Sequence, residues 1–109
     1  MVFAFVFDIK YERKNFSIMD YTVKHDADRH RFETTVDGYT GYVEYVAGRG
    51  TLDIIHTIVP MKIEGRGVAA ALVKAAYEYA RENGLKVIPS CSYAAMWVRR
   101  HPEYDEMTM

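Results

Sequence analysis

The sequence has little of what would assign it to a specialised class of protein. Its single cysteine, Cys91, excludes a disulfide within the chain and favours a reducing compartment. No apolar run approaches the roughly 20 residues that a membrane-spanning helix needs, and the apolar start lacks a basic leader and a small-residue cleavage site. The formal net charge of −1 gives no polyanion-binding signature. These absences predict a cytoplasmic protein that binds neither membranes nor nucleic acid.

The composition is nevertheless sufficient for one well-packed domain. Half of the 109 residues are hydrophobic, so a core can form without disulfides or a structural metal. His25 and His30 lie among polar residues without metal-ligand spacing, and no metal site is predicted. Residues 1–18 differ from the rest, because an aromatic and β-branched run is followed by a charged stretch. We expect residues 1–18 to be a dispensable extension and residues 19–109 to form the domain.

The sequence of the first half of that domain predicts an antiparallel meander of four strands. Alternation of apolar and polar residues indicates strands over residues 21–25, 30–36, 39–46 and 51–60. Asp37-Gly38, between the second and third strands, is a strong hairpin signal.

The fourth of these strands has apolar residues on both faces, which predicts a central strand covered on both sides. Simple alternation puts Ile54, His56 and Ile58 on one face. It puts Thr57 on the other face, where a structural role is expected.

The second half of the domain predicts a helix, a strand and another helix. A stripe with helical spacing begins near residue 66, and Asn83-Gly84 is a stop signal with Gly84 suited to a left-handed cap. The stripe consists of Val68, Ala71, Leu72, Ala75, Ala76 and Tyr79. Residues 85–89 then form a strand parallel to the fourth one, because a helix connects the two. Ser92 is the expected N-cap of a second helix over 93–100, after which a polar tail follows.

The predicted fold class is therefore α+β, with the order β-β-β-β-α-β-α. The sheet is mixed and mostly antiparallel, with one parallel pair of strands flanked by helices. Ligands bind in open sheets where neighbouring strands part. Here that place lies between the fourth and fifth strands.

A glycine turn at this place predicts an anion site. Gly65 and Gly67 precede the first helix, whose first N–H groups have no partner within the helix and carry partial positive charge. Glycine lets an anion approach the main chain closely. Arg66 is either a phosphate contact or a solvated surface arginine.

Three stretches carry a resemblance to a known family: HTIVP, then GRGVAAALVKAAYEYARENGLKVIPSCSY, then RRHPEY. They resemble the small single-domain branch of the GNAT superfamily of acetyl-CoA-dependent N-acetyltransferases, over residues 21–104. The phosphate motif of that superfamily, Gln/Arg-x-x-Gly-x-Gly/Ala, is matched by Lys62, Gly65 and Gly67, with lysine in the first position.

The resemblance implies acetyl-CoA as cosubstrate and no metal. Its pyrophosphate would lie on the turn over 64–69, which includes Gly65, Arg66, Gly67, Val68 and Ala69. Its pantetheine arm would bind like an extra strand to the main chain near Ile58 and Val59. Two departures concern the acceptor side. The pair of helices that walls off the acceptor in larger members is missing, and Val98 or Arg99 stands where those members often have a tyrosine.

Cys91 matches a cysteine that the small branch carries at the end of its fifth strand and that the resemblance implies as the catalytic residue. The sequence places Cys91 between a strand end and a helix start, where a thiolate is stabilised. The thiolate would accept the acetyl group, or would steer the thioester while an amine attacks directly. The structural interpretation is a small buried hydrophobic residue.

His56 is the second candidate catalytic residue, because its imidazole would deprotonate an ammonium acceptor near neutral pH. The structural alternative is a hydrogen-bonded core histidine, or one that orients Cys91.

The function predicted from the sequence is N-acetylation of an unidentified amine with acetyl-CoA, through Cys91. The alternatives are a non-catalytic acyl-CoA-binding sensor or interaction module, and a purely structural domain in which the glycines only make a turn. The predicted assembly is a monomer or a weak dimer that pairs through the apolar N-terminal run.

Overall fold

The structure is a computed structural model that describes residues 21–109. Five strands are present: β1 (Lys24–Asp26), β2 (Arg31–Val36), β3 (Tyr39–Ala47), β4 (Thr51–Ile58) and β5 (Lys86–Pro89). The helices are α1 (Val68–Glu82) and α2 (Ser92–Arg99), with 3₁₀ helices at Met61–Ile63 and Pro102–Met107. The expectation that residues 1–18 are a dispensable extension falls outside the described residues. No helix in the described part of the chain is long and apolar enough to cross a membrane.

The strands form one sheet in the order β1-β2-β3-β4-β5. The first four pair antiparallel to their neighbours, and β4 pairs with β5 in parallel. The predicted fold class is confirmed, including the single parallel pair. The connection through α1 accounts for it, because strands joined by a crossover helix return in the same direction.

The predicted hairpin turn and the predicted helix end are both present. Asp37 and Gly38 have φ angles of 52° and 83°, and two successive positive φ values are what a tight two-residue hairpin turn requires. Gly84 has φ 67° just after α1, and the Leu85 N–H donates to the Ala80 carbonyl at 2.8 Å. This is the left-handed helix cap that the sequence predicted.

The core lies between one face of the sheet and the helices, but the predicted stripe of α1 is partly wrong. Val73, Tyr77 and Ala80 are fully buried, whereas Ala71, Ala75 and Tyr79 are only partly buried. The buried surface is shifted because the C-terminal elements cover another side of α1. The Tyr77 ring lies 5.5 Å from the ring of Trp97 on α2 and 5.2 Å from that of Tyr104.

The C-terminal segment is not the polar tail that the sequence predicted. After α2 it forms the 3₁₀ helix Pro102–Met107, which buries Tyr104. Thr108 then pairs in parallel with Val87, and the Met109 N–H donates to the Val87 carbonyl at 2.9 Å. This segment covers the outer edge of β5, which stabilises the end strand of the sheet.

A β-bulge divides β4 and overturns the predicted faces of its second half. Glu44 of β3 is opposite His56, but the next residue, Tyr45, is opposite Ile54, so Ile55 is the extra residue on β4. The alternation therefore shifts after Ile54. Thr57 lies opposite the buried Val43, on the core face, and His56 lies on the opposite face.

The prediction that β4 is covered on both sides is also wrong within residues 21–109. Ile58 lies opposite Tyr42, on the face that turns away from α1, and its side chain is 46% exposed. Val46 on the same face is 51% exposed. Apolar residues on both sides of a strand do not by themselves require two covering layers.

Candidate functional site

The sheet opens where β4 and β5 part. Their last registered pair is Ile54 and Pro89, and the Cys91 N–H donates to the Ile54 carbonyl at 2.8 Å just beyond it. From there β4 continues to Ile58, while the chain after β5 turns into α2. The later residues of β4 therefore have a strand neighbour on only one side. This is the place that the sequence predicted for a ligand.

A groove of about 520 Å³ lies at this opening. Its walls come from the end of β4, the glycine turn, the first turn of α1 and the start of α2. The lining residues are Thr57, Ile58, Val59, Ile63, Glu64, Gly65, Gly67, Val68, Ala69, Ala70 and Tyr93. Every residue predicted to bind the cofactor, except Arg66, lies in this lining.

The glycine turn exposes main-chain donors at the head of α1. Gly65 and Gly67 have φ angles of 75° and 80°, and a Cβ built on either would meet no atom within 4 Å. Glycine is therefore favoured here by backbone conformation and not by crowding. Gly67 is the N-cap of α1 and no side chain caps the helix. The donors of the first helical turn remain without intrahelical acceptors, and this donor set fits a polyphosphate.

Arg66 is directed away from the groove. Its guanidinium donates to the Asp37 carboxylate at 2.8 Å, and its carbonyl accepts a hydrogen bond from the Tyr21 hydroxyl. The side chain thereby ties the glycine turn to the β2–β3 hairpin. Its predicted phosphate contact stays a prediction.

Cys91 is the N-cap of α2, a position that the sequence assigned to Ser92. The hydrogen bond to Ile54 holds Cys91 against β4 and lets the helix begin one residue earlier than expected. Its sulfur lies 3.4 Å from the Thr57 hydroxyl oxygen. Tyr93, two residues further along α2, lines the groove beside this pair.

The pKa of the Cys91 thiol is lowered from its ordinary value. Burial alone raises the pKa, but the hydrogen bond with Thr57 opposes that effect. The backbone N–H groups of Ala94, Tyr93 and Thr57 also lower it. Peptide N–H groups at a helix start favour a thiolate because they carry partial positive charge. The site therefore holds a partly exposed cysteine whose surroundings favour the thiolate, the form that reacts as a nucleophile.

Thr57 lines the groove and contacts Cys91, but the sequence did not single it out as a candidate site residue. Simple alternation put it on the face opposite Ile54, and the bulge at Ile55 brings it to the same face as Ile54, where it lines the groove. The Ile54-Ile55 pair carries no residue signature of a bulge, so no local signal was available.

His56 is exposed and faces away from Thr57 and Cys91, opposite Glu44. The structure therefore does not bring the two predicted catalytic residues together on one face of the sheet. A role for His56 in orienting Cys91 has no support in this geometry. Its role as a base for an acceptor stays a prediction. Among residues 21–109, no group of three or more histidine, cysteine or acidic side chains is arranged to hold a metal ion.

Comparison with known proteins agrees with the fold. Residues 31–107 match the family described as GCN5-related N-acetyl-transferase. Because the match spans most of the chain, this protein belongs to the GCN5-related N-acetyltransferase family. Members of that family generally use acetyl-CoA as cosubstrate.

The matches with individual relatives extend over most of the length of both proteins. The chain is 37% identical over 84 residues to Protein NATD1 of Xenopus tropicalis, covering 73% of this chain and 76% of the relative. It is 36% identical over 84 residues to Protein NATD1 of Homo sapiens, covering 73% and 74%. The solution structure of a GCN5-like protein from Staphylococcus aureus superposes with a TM-score of 0.65 at 28% identity, covering 84% of this chain and 91% of that one.

Proposed function

We propose that this protein binds acetyl-CoA in the groove between β4 and α2 and transfers the acetyl group to an amine. The proposal depends on one observation: the glycine turn and Cys91 lie at the same opening of the sheet. The glycine turn at the head of α1 supports pyrophosphate binding. Cys91, whose pKa is lowered, lies behind the groove lining, with its sulfur 3.4 Å from the hydroxyl oxygen of the lining residue Thr57.

The groove suits the two chemically different parts of the cosubstrate. The first-turn N–H groups after Gly67 would hold the pyrophosphate, since they have no intrahelical acceptors. The main chain of Ile58 and Val59, beyond the last pair with β5, would hydrogen-bond the amide-bearing pantetheine arm. The buried Ile63 and Val68 would form the apolar floor.

Acetyl-CoA supplies an activated acetyl thioester, and Cys91 would receive the acetyl group. The sulfur of Cys91 forms a bond to the carbonyl carbon while the bond to the CoA sulfur breaks, and the CoA thiolate takes up a proton. The amine nitrogen then attacks the new thioester, regenerates the Cys91 thiolate and loses a proton to a base. In the direct alternative, the amine attacks acetyl-CoA itself and Cys91 only orients it.

One observation favours a second function, a CoA-binding module without catalysis. Val98 is buried in the core and Arg99 is exposed, so α2 offers no hydroxyl at the positions where larger relatives often protonate the leaving thiolate. Under this function the groove would bind acetyl-CoA and Cys91 would not become acetylated.

An NMR titration with acetyl-CoA, combined with intact mass measurement, tests both the binding of the cosubstrate and the acetyl intermediate on Cys91. We expect amide shifts centred on residues 58–59 and 65–69, and an added acetyl mass that is lost in Cys91→Ala. Ser90→Ala, an exposed neighbour outside the groove lining, is the matched control and should retain the added mass. Shifts without acetylation in the wild type would contradict the Cys91 intermediate. No shifts at millimolar acetyl-CoA would overturn the cofactor assignment.

A further inference from the structure

We propose that Thr57 is a positioning residue that holds the Cys91 sulfur at the opening of the sheet and stabilises its thiolate through the side-chain hydroxyl. The inference rests on the proposed function, since it assigns a partner to the proposed nucleophile. It gives a role to a residue that strict alternation had placed on the wrong face of β4.

The bulge at Ile55 is what brings the two side chains together. Without the extra residue the chain would present His56, not Thr57, two positions after Ile54 on the core face. With it, the Thr57 hydroxyl oxygen lies 3.4 Å from the Cys91 sulfur. The Cys91 N–H is held by the Ile54 carbonyl at 2.8 Å, so one strand fixes both the main chain and the sulfur of the cysteine.

A threonine hydroxyl suits both protonation states of the sulfur. In the thiol, the S–H can donate to the hydroxyl oxygen across the 3.4 Å between the two atoms. In the thiolate, the hydroxyl turns and donates its own hydrogen to the sulfur. Because a β-branched side chain has few χ1 rotamers, this partner stays in place as the proton leaves.

The other groups that lower the Cys91 pKa are neutral main-chain N–H groups of Thr57, Tyr93 and Ala94. Thr57 is therefore the residue whose side chain can be replaced to change the stability of the Cys91 thiolate without altering the helix. Ionisable side chains are also present on the elements that pack against the pair. They are Asp53 and His56 on β4, Lys86 on β5, Tyr93 and Arg99 on α2, and Arg100 directly after α2.

The pH dependence of Cys91 alkylation by iodoacetamide tests the role in the free protein. The rate should rise with pH as the thiolate forms and level off above the Cys91 pKa. Thr57→Val keeps the shape and removes the hydroxyl, so the midpoint should move up by about one pH unit, with about tenfold slower alkylation below it. Thr57→Ser keeps the hydroxyl and should stay within about 0.3 units of wild type.

Thr40→Val is the matched control, because it removes an exposed threonine hydroxyl bonded to Thr35 at 2.7 Å, outside the groove lining. Its profile should equal that of wild type. A Thr57→Val profile that coincides with wild type would overturn the proposal. So would an equal shift in the valine and serine variants. If the valine variant does not fold, Thr57→Ala replaces it with the same expected shift.

This readout is independent of acetyl transfer. Alkylation needs no acetyl-CoA, so a wild-type protein that fails to bind the cosubstrate contradicts the proposed function and leaves the Thr57 measurement valid. Conversely, normal acetylation of Cys91 with no effect of Thr57→Val on the midpoint contradicts the positioning role alone.

Discussion

The two halves of β4 have the same apolar composition and different environments. Residues Leu52 to Ile54 pair with β3 on one side and β5 on the other, and Leu52 and Ile54 are at most 1% exposed. Ile55 is the unpaired bulge residue, His56 to Ile58 pair with β3 alone, and Ile58 is 46% exposed.

The difference shows how one strand serves both the core and the site. In the first half, backbone groups are used by two neighbouring strands and the side chains fill the core. In the second half, the outer main-chain groups have no β5 partner, and such an open strand edge is a template for an extended ligand. The bulge at Ile55 marks the boundary between these two environments.

The largest expected difference between the two halves of β4 is in the free energy of unfolding lost when an isoleucine is shortened. Ile54→Ala should lower the free energy of unfolding by about 2–5 kcal/mol, because it leaves a cavity in a fully buried position. Ile58→Ala should lower it by less than about 1 kcal/mol, because this side chain is already half in water. Urea unfolding of the two variants measures both values. Equal losses would show that the two halves contribute alike to the core.

The glycine turns before β4 and before α1 provide the second test. Gly50 precedes β4 and Gly67 follows it, with φ angles of 72° and 80° and open space around both. Alanine at either should cost about 1–2 kcal/mol of stability because of the left-handed backbone.

Only Gly67→Ala should also weaken acetyl-CoA binding, by about tenfold, since the strain is added at the groove. Calorimetric titration and thermal melts of the two variants make the comparison. Equal weakening in the Gly50 variant would mean that strain anywhere in the sheet affects the site.

The smallest effect is expected at His56, which neighbours Thr57 but lies on the opposite face of β4. His56→Gln should change the rate of Cys91 alkylation by less than about twofold at any pH, because the imidazole faces away from the sulfur. Thr57→Val, one residue further on, should shift the whole profile. A His56 variant that shifts the midpoint as much as Thr57→Val would show that the imidazole reaches the sulfur.

Local signals in the sequence predicted much of the fold. Asp37-Gly38 specifies a turn with two positive φ values, and Gly84 specifies a helix end, so both follow from backbone sterics alone. The helical spacing after Gly67 predicts α1, and a helix between two strands predicts their parallel pairing. The sequence also predicted that the end of β4, the glycine turn and the start of α1 lie together, and the structure brings these segments to one groove. Their role in binding a cofactor stays a prediction.

What could not be predicted depends on contacts between distant segments. The N-cap at Cys91 follows from a hydrogen bond to Ile54. The rotation of the buried stripe on α1 follows from packing of Tyr77 against Trp97 and Tyr104. Neither contact leaves a signature in the residues next to it.

By itself, the sequence determined the order of the elements, the mixed sheet and the position of the glycine turn, since these depend on backbone preferences and on the spacing of apolar residues. Only the tertiary structure decided which side chain of β4 meets Cys91. A single extra residue, Ile55, reverses the direction of every side chain that follows it in the strand. That reversal arises from the register between β3 and β4, which is a property of two strands and not of either one.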